Sequence, residues 1–328
     1  MTVITVWVDD LLIFTETIED MAEVKGELQK LFDVKDLGEP KKIIGIEIER
    51  DRENGTIALS QTRYIDGLLS RFNMQNVHPV TTPLDPNVIL RKRSDKLPVD
   101  PAIVSGYQAV IGSLLYAAQG TRPDLAHPVQ ELGQYASNPG PEHWTALKRI
   151  LRYLAGTRNL KLVFRRNEET EVISVGYSDA SYASNRDDLK SVSGYAYLIG
   201  GASFAWSSKK QSTVALSSTE AEYTALAHAT RQAIWNRNLL DELGCSQEDA
   251  TLIFKDNQSA IAIARDPQYH ARSKHFDVQN HFVREKIEDD IIELFYCLTD
   301  EMVADVMTKA LPRQKHDKFV QELGLLPS

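Results

Sequence analysis

Several acidic residues in the second half of the chain are spaced so that they could meet at one edge of a sheet. Asp179 follows the first of several strand-like runs, and Asp256 ends a later one. Both acids would project from the same edge if the two strands are neighbours. Glu220 and Glu222 lie near the first turn of a predicted long helix, and composition alone does not decide between them. Asp305 lies early in the predicted last helix, where it could lean over the same edge.

Converging carboxylates suit the hydrolysis of a phosphodiester. The reaction needs an activated water and neutralisation of the attacking and leaving oxygens, and two divalent cations about 3.5–4 Å apart supply both. Mg²⁺ prefers hard oxygen ligands, so three or four carboxylates are the expected ligands. Taken singly, each acid has a more ordinary explanation, because Asp often forms turns and Glu usually lies on a solvated helix face. Their agreement in order, element type and position favours a two-metal site.

The elements that must position these acids are predicted to form a mixed sheet flanked by helices. Three strand-like runs come first, and helices and strands then alternate, which is typical of such a sheet. The predicted strands are residues 172–177, 194–199, 203–207, 251–254 and 291–298. The predicted helices are residues 218–243, 258–265 and 274–288, with a last helix opening at 301–309.

The first half of the chain predicts a β-rich region followed by helices. Residues 3–14 are an apolar run interrupted by Asp9 and Asp10, and adjacent carboxylates in such a run require a hairpin bend or bound cations. The further predicted elements are a helix at 18–31, strands at 42–49 and 56–60 joined by an Asn54-Gly55 turn, a helix at 61–72, a proline-rich linker at 77–101, and helices at 102–119, 123–137 and 141–156. The three closely connected helices predict a small bundle.

Length and composition indicate a globular protein of more than one domain. The chain has 328 residues, 42% of them hydrophobic and 25% charged, which excludes a disordered chain. No apolar run is predicted to span a membrane and no secretory leader follows Met1, so we expect an intracellular protein. Cys245 and Cys297 form no CxxC pair and are expected to be reduced core thiols, which argues against a structural zinc site.

Local basic residues matter more for nucleic-acid binding than the net charge of −9, which gives no global support for it. Lys148, Arg149 and Arg152 would share one face of the helix at 141–156. This face could contact phosphates or could simply be solvated, and the residues leave both interpretations open.

Sequence motifs across essentially the whole chain resemble the Pol polyproteins of copia-type retrotransposons. The motifs similar to the ribonuclease H domain of that family are Thr219-Glu220-Ala221-Glu222-Tyr223, Asp256-Asn257-Gln258-Ser259-Ala260, Lys274-His275-Phe276-Asp277, His281-Phe282-Val283-Arg284-Glu285 and Ala304-Asp305-Val306-Met307-Thr308-Lys309. The motifs similar to the segment that precedes this domain are Ile111-Gly112-Ser113-Leu114-Leu115-Tyr116, Thr121-Arg122-Pro123-Asp124 and Arg152-Tyr153-Leu154.

The resemblance implies that Asp179, Glu222, Asp256 and Asp305 hold two Mg²⁺ ions, with Mn²⁺ as a substitute, and it selects Glu222 over Glu220. It also implies an RNA–DNA hybrid as substrate, recognised by shape and 2′-hydroxyl contacts. The fold class implied is α/β (α+β multidomain): a ribonuclease H-like mixed five-stranded sheet with flanking helices, preceded by a partial polymerase palm and a helical thumb or connection. The implied divisions are a palm and start of thumb at 1–76, a linker at 77–101, a helical thumb or connection at 102–166 and the ribonuclease H-like domain at 167–328.

The start of the chain is similar to the reverse-transcriptase hairpin whose Tyr-X-Asp-Asp sequence binds the polymerase metals. Asp9 and Asp10 would be those metal ligands, and Trp7 stands where the family has Tyr. Polymerase chemistry needs a third carboxylate from an earlier palm strand. We therefore expect an incomplete polymerase site that other Pol polyprotein domains would have to complete.

Several side chains near the nuclease site keep two interpretations. Lys209 and Lys210 could contact the hybrid backbone or lie in a solvated turn. The aromatic residues Tyr195, Tyr197, Trp206 and Trp235 could stack on bases but are expected to pack in the core. The loop before Asp305 lacks a histidine, which predicts slow product release, and a structural role is expected for His270, His275 and His281.

Two other functions compete with an active nuclease. A catalytically silent remnant could keep the fold and bind nucleic acid without cleaving it. A transposase or integrase with a related sheet would use a different set of acids and usually a zinc module, which two cysteines do not supply. The four intact acids favour a metal-dependent ribonuclease H. We expect such a protein in a cytoplasmic particle, in the nucleus or in both.

Overall fold

The computed structural model describes residues 1–93, 99–166, 172–265 and 277–327. Its strands are β1 (Thr2–Trp7), β2 (Asp10–Thr15), β3 (Lys42–Ile43), β4 (Ile46–Asp51), β5 (Thr56–Ser60), β6 (Leu160–Arg165), β7 (Val175–Ser181), β8 (Val192–Ile199), β9 (Ala202–Lys210), β10 (Thr251–Lys255), β11 (Ile292–Tyr296) and β12 (Leu325–Pro327). Its α-helices are α1 (Ile18–Leu31), α2 (Thr62–Arg71), α3 (Pro101–Gly120), α4 (Ala126–Gly133), α5 (Pro141–Thr157), α6 (Ser218–Glu242), α7 (Gln258–Arg265), α8 (Asp277–Glu288) and α9 (Arg313–Glu322).

The predicted mixed five-stranded sheet is present in the second half of the chain, with the strand order β11-β10-β7-β8-β9. Strands β7, β8 and β9 form an antiparallel meander, and β10 and β11 run parallel to β7 on its other side. Strand β7, the first of these five strands along the chain, is therefore the central strand of the sheet. Helices separate the parallel strands, as a parallel connection requires. The α/β fold class with a mixed five-stranded sheet, predicted from the sequence, is confirmed.

Helix α6 packs closely on this sheet because its inner face is small. Ala221, Ala225, Ala229 and Ala233 are four residues apart and buried, so they lie on one side of the helix. The helix begins as the sequence predicts, because the Ser217 hydroxyl accepts a hydrogen bond from a backbone N–H of its first turn. The Ser217 cap fixes the start of α6, and the row of buried alanines fixes its distance from the sheet.

A second five-stranded sheet, with the order β12-β6-β5-β4-β3, joins distant parts of the chain. Strand β6 pairs with β5 from the first half and with β12 near the end. Strand β6 was not among the elements predicted from the sequence, and it begins soon after α5 ends. Its apolar residue Leu162 is buried with Leu325 and Val320, so the strand is held by core contacts.

The predicted bundle of three helices is present as α3, α4 and α5, and α2 packs into the same hydrophobic core. Helix α3 corrects the statement that no apolar run is long enough to span a membrane, because it has 20 residues and a mean hydropathy of 1.2. The same length and composition suit a core helix. Its buried side chains, including Tyr107, Val110 and Leu114, belong to the core of the bundle.

The N-terminal hairpin is formed as predicted, with Trp7 opposite Asp10 across the turn between β1 and β2. Val8 adopts a left-handed backbone conformation with φ of 54°, which closes the turn. Asp9 and Asp10 are exposed there, so neither carboxylate is buried. Helix α1 follows as predicted, capped by the Thr17 hydroxyl, and none of its residues is buried.

Asp305 lies on a short 3-10 helix, Val303–Met307, which corrects the predicted start of a last α-helix at this position. All five residues of this turn are buried, so tertiary packing determines its conformation. Pro312 also excludes a continuous helix, since the residue before a proline disfavours helical angles. The last α-helix, α9, begins only at Arg313.

Candidate active site

Asp179 lies in the central strand of the mixed sheet and faces its covered side. Its side chain is buried, and its Oδ2 accepts a hydrogen bond from the Thr308 hydroxyl. Gly194 is its partner on β8. A Cβ at Gly194 would lie 2.6 Å from Met307 Cβ, so only glycine lets the turn that carries Asp305 pack against the strand. The sequence therefore positions Asp179 and this turn together.

Three of the predicted acids converge at one edge of the sheet. Asp256 directly follows β10, and its Oδ2 accepts a hydrogen bond of 2.9 Å from the Thr299 hydroxyl. Glu222 lies on the first turns of α6 and is 7% exposed. One carboxylate oxygen from each of Asp179, Glu222 and Asp256 lies within 4.8 Å of the others, the spacing at which a single cation can be shared. Because β10 runs parallel beside β7, both strand acids reach the same edge, as predicted.

Asp305 lies beside these three acids but is held by lysines. Its carboxylate is fully buried and pairs with Lys309 Nζ at 2.7 Å and Lys315 Nζ at 2.8 Å. Lys309 Nζ is also 3.8 Å from Asp179 Oδ2, so it lies between the two acids. The structure thus brings the fourth predicted acid next to the cluster, with an ammonium group between it and Asp179.

Lys255 is a functional candidate that the sequence analysis missed. Its side chain is 0% exposed, and its Nζ lies 2.5 Å from Glu222 Oε2 and 3.3 Å from the carbonyl oxygen of Ser178. A signal was present in the sequence, because Thr251, Ile253 and Lys255 share the inward face of β10. A lysine at a buried strand position needs a buried counter-charge, and that requirement points to an acid nearby.

Burial raises the pKa of two carboxylates in the site, and the charge of neighbouring Asp179 adds to the shift. Burial raises the pKa of Glu222 to about 7, with Lys255 opposing the shift and Asp179 adding to it. Burial, and then the charge of Asp179, raise the pKa of Asp305 to about 6 against the effect of Lys309. Such shifts mark groups that lack enough positive charge around their ionised forms. Hard oxygen donors short of positive charge fit a bound divalent cation.

The predicted phosphate-binding residues on α5 have different surroundings. Lys148 is exposed, whereas Arg149 donates hydrogen bonds to the carbonyl and hydroxyl oxygens of Thr82. Arg152 donates to the carbonyl oxygen of His78 at 2.8 Å. The two arginines therefore fix the proline-rich linker to the bundle, and contact of this face with phosphates stays a prediction.

The two predicted lysines of the nuclease half lie within β9 and not in a turn after it. Lys209 is exposed. Lys210 pairs with Asp188 Oδ2 at 2.7 Å and donates a hydrogen bond to Gln134 Oε1 at 2.9 Å. Lys209 is thus the more available of the two for a phosphate.

The structure agrees with some of the predictions for aromatic side chains and corrects one of them. Tyr197 is buried in the core as predicted, and Trp206 and Tyr195 are half-buried with their polar atoms hydrogen-bonded. Trp235 is 56% exposed on α6, which corrects its predicted core position. His281 is exposed on α8, and His270 and His275 lie outside the described residues.

The two cysteines are free thiols, as predicted. Cys297 is buried, whereas Cys245 is only half-buried, so the second is not a full core residue. Among the described residues, Asp9 and Asp10 belong to no group of three potential metal ligands.

Comparison with known proteins places these observations in a family. A family profile described as "Reverse transcriptase (RNA-dependent DNA polymerase)" matches residues 1–86. The chain is 40% identical to the retrovirus-related Pol polyprotein from transposon TNT 1-94 of Nicotiana tabacum, over 98% of this chain and 24% of that protein. It is 35% identical to a transposon Ty5-1 protein of Saccharomyces cerevisiae, over 67% of this chain and 70% of that protein. A solved foamy viral protease-reverse transcriptase in complex with dsDNA matches 90% of this chain and 55% of that chain, with 15% identity and a TM-score of 0.44.

The reverse-transcriptase profile and these transposon relatives define a protein of the retrotransposon class. The chain belongs to the family of copia-type retrotransposon Pol polyproteins. It spans about a quarter of the length of the TNT 1-94 polyprotein.

Proposed function

We propose that the second half of the chain is a metal-dependent ribonuclease H that cleaves the RNA strand of RNA–DNA hybrids. The observation that carries this proposal is the meeting of Asp179, Glu222 and Asp256 within 4.8 Å at the edge of a ribonuclease H-like sheet. Membership in the retrotransposon Pol family supports a nucleic-acid enzyme, because a reverse-transcriptase profile matches the start of this chain.

The proposed metal ligands are Asp179, Glu222, Asp256 and Asp305, with Mg²⁺ as the ion, two ions as the full complement and Mn²⁺ as a substitute. Bound ions would neutralise charge on the attacking and leaving oxygens and lower the pKa of a water molecule. The chain supplies the orientation. The Thr308 hydroxyl fixes the Asp179 carboxylate, and the Thr299 hydroxyl fixes that of Asp256.

Contact with the hybrid would come from exposed lysines. Lys209 on β9 and Lys148 on α5 are available for phosphate contacts, which would carry no sequence preference. We further propose that Asp9 and Asp10 are metal ligands of a polymerase-type site, which two acids alone do not complete. An RNA–DNA hybrid would be met in a cytoplasmic particle or the nucleus.

A binding protein that cleaves nothing is the second candidate, and one observation favours it. The ammonium groups of Lys255, Lys309 and Lys315 already lie within 2.5–2.8 Å of Glu222 or Asp305. These cations could stabilise the acids permanently and exclude metal. Cleavage by the unmutated chain separates the two functions.

The test is a cleavage assay on a hybrid with labelled RNA in Mg²⁺. We expect Asp256→Asn to lower the rate by more than about 100-fold, since it removes a direct metal ligand. Asp249→Asn is the matched control, because Asp249 is an exposed acid just before the same strand and should keep full activity. Absence of cleavage by the unmutated chain in both Mg²⁺ and Mn²⁺ would overturn the nuclease proposal in favour of the binding protein.

A further inference from the structure

Three lysine side chains compensate the acidic cluster, and they differ in their access to solvent. Lys309 and Lys315 are 38% and 23% exposed, whereas Lys255 is 0% exposed. The two exposed lysines can turn toward water when another cation approaches Asp305. Lys255 has no such route, because its whole side chain is enclosed beneath the site.

Lys255 and a divalent ion at this site would both bind the Glu222 carboxylate. Its Nζ lies 2.5 Å from Glu222 Oε2, which is a hydrogen-bond distance between charged groups. Its second partner is the Ser178 carbonyl, which belongs to the residue before Asp179. The ammonium group therefore sits among the proposed ligands and is anchored at two points.

Charge balance shows why the two cations conflict. The four acids carry four negative charges when ionised, and the three lysines carry three positive charges. Two divalent ions added to an intact set of lysines would leave a net charge of about +3 in a largely buried site, which is costly. The exposed lysines can move away and reduce this excess, but Lys255 stays.

We propose that Lys255 is a built-in counter-ion that competes with divalent metal for Glu222, so that the two ions bind with unequal affinity. The ion that does not need Glu222 binds first and tightly. The ion that needs Glu222 binds weakly, because it must displace the ammonium group from Oε2 or bind beside it. The concentration of divalent metal would then determine whether one ion or both ions are bound. This inference rests on the proposed function for its biological meaning but concerns metal binding alone.

Isothermal titration calorimetry of the whole chain with Mn²⁺, without nucleic acid, tests the proposal. We expect two binding steps in the unmutated chain. Lys255→Met keeps the unbranched length of the side chain and removes its charge, and it should tighten the weak step at least about tenfold. The tight step should change by less than about threefold. Equal affinities in the two proteins would overturn the proposal.

A double-mutant cycle separates competition for Glu222 from a general charge effect. In a Glu222→Gln background, Lys255→Met should give no tightening of metal binding. Lys315→Met is the matched control, because it removes the same charge from Asp305 and should leave the Glu222-dependent step unchanged. Tightening by Lys255→Met that persists without Glu222 would contradict the proposal.

Circular dichroism shows whether Lys255→Met folds, and Lys255→Gln is the substitute if it does not. If neither variant folds, the Glu222→Gln variant alone tests the proposal. It should remove the weak step and leave the tight one, and loss of the tight step would overturn the assignment. Failure of the nuclease proposal has a different signature, which is two-step metal binding without any cleavage of a hybrid.

Discussion

Glu222 is an acidic residue whose buried surroundings disfavour its negative charge. It is 7% exposed and shares its site with Asp179 and Asp256, yet its only short ion pair among the described residues is with Lys255. Burial raises its pKa to about 7, so the ionised carboxylate is disfavoured in the folded, metal-free chain. A divalent ion would relieve this conflict.

The metal-free chain should lose stability as pH rises. The folded-state pKa of Glu222, about 7, lies above its ordinary value of 4.5, so the folded state binds the proton more tightly. Stability is therefore highest below about pH 4.5 for this group and falls until about pH 7, by up to about 3 kcal/mol. Urea unfolding in EDTA at pH 5 and pH 8 measures the difference.

The Glu222→Gln variant is the control for this pH dependence, since it removes the titrating group. Its stability should fall less between pH 5 and pH 8 than that of the unmutated chain, and Mg²⁺ should reduce the fall more in the unmutated chain than in the variant. A parallel decline in both proteins would assign the effect to other groups.

The acids themselves were predictable from sequence at the residue scale, but their counter-ions were not. Asp179 lies near the end of β7 and Asp256 follows β10, and strand ends that run parallel meet at one edge. Lys255 looked like an ordinary strand residue, because its role depends on a helix 33 positions earlier in the chain. Pairings of that kind follow from tertiary packing, which local patterns do not encode.

The turn that carries Asp305 is the element on which the site depends most. It packs against β8 at Gly194, where a Cβ would lie 2.6 Å from Met307 Cβ and 2.7 Å from Thr308 Cγ2. The sequence predicted that a last helix opens here, at residues 301–309. Complete burial of the turn and Pro312 override any helix propensity here.

Gly194→Ala should destabilise the chain by about 1–3 kcal/mol and weaken metal binding, because the turn must shift away from Asp179. Thermal unfolding and Mn²⁺ calorimetry would measure both effects. Gly112→Ala is the matched control, since a Cβ there meets nothing within 4 Å. That exposed helical position should gain about 0.5–1 kcal/mol. Equal stability of Gly194→Ala and the unmutated chain would contradict the proposed packing role.

At the scale of the whole molecule, a network around a buried ion pair connects the helical bundle to the nuclease half. Arg122 and Asp124 are both 0% exposed and 2.6 Å apart, and the Tyr153 hydroxyl donates a hydrogen bond to Asp124. The Tyr153 ring meets the edge of His316 on α9 at 5.4 Å. The nuclease half is therefore packed on the bundle through this network, in addition to the strand pairings of β6.

Asp124→Asn should cost about 3–5 kcal/mol, because it leaves the Arg122 guanidinium buried without a counter-charge. Replacing both residues, as Arg122→Met with Asp124→Leu, should recover much of this loss. Urea unfolding of the single and double variants gives the comparison. A double variant as unstable as the single one would show that the pair itself contributes strongly to stability.

The central claim is that the acidic edge of the mixed sheet cleaves RNA in a hybrid with the help of a divalent ion. The most direct measurement labels the RNA and the DNA strand separately and follows both with Mg²⁺ and with EDTA. We predict that the RNA strand alone is cut, only with Mg²⁺, and not by Asp179→Asn. Cleavage that persists in EDTA or in Asp179→Asn, or an RNA strand that stays intact in Mg²⁺, would contradict the account.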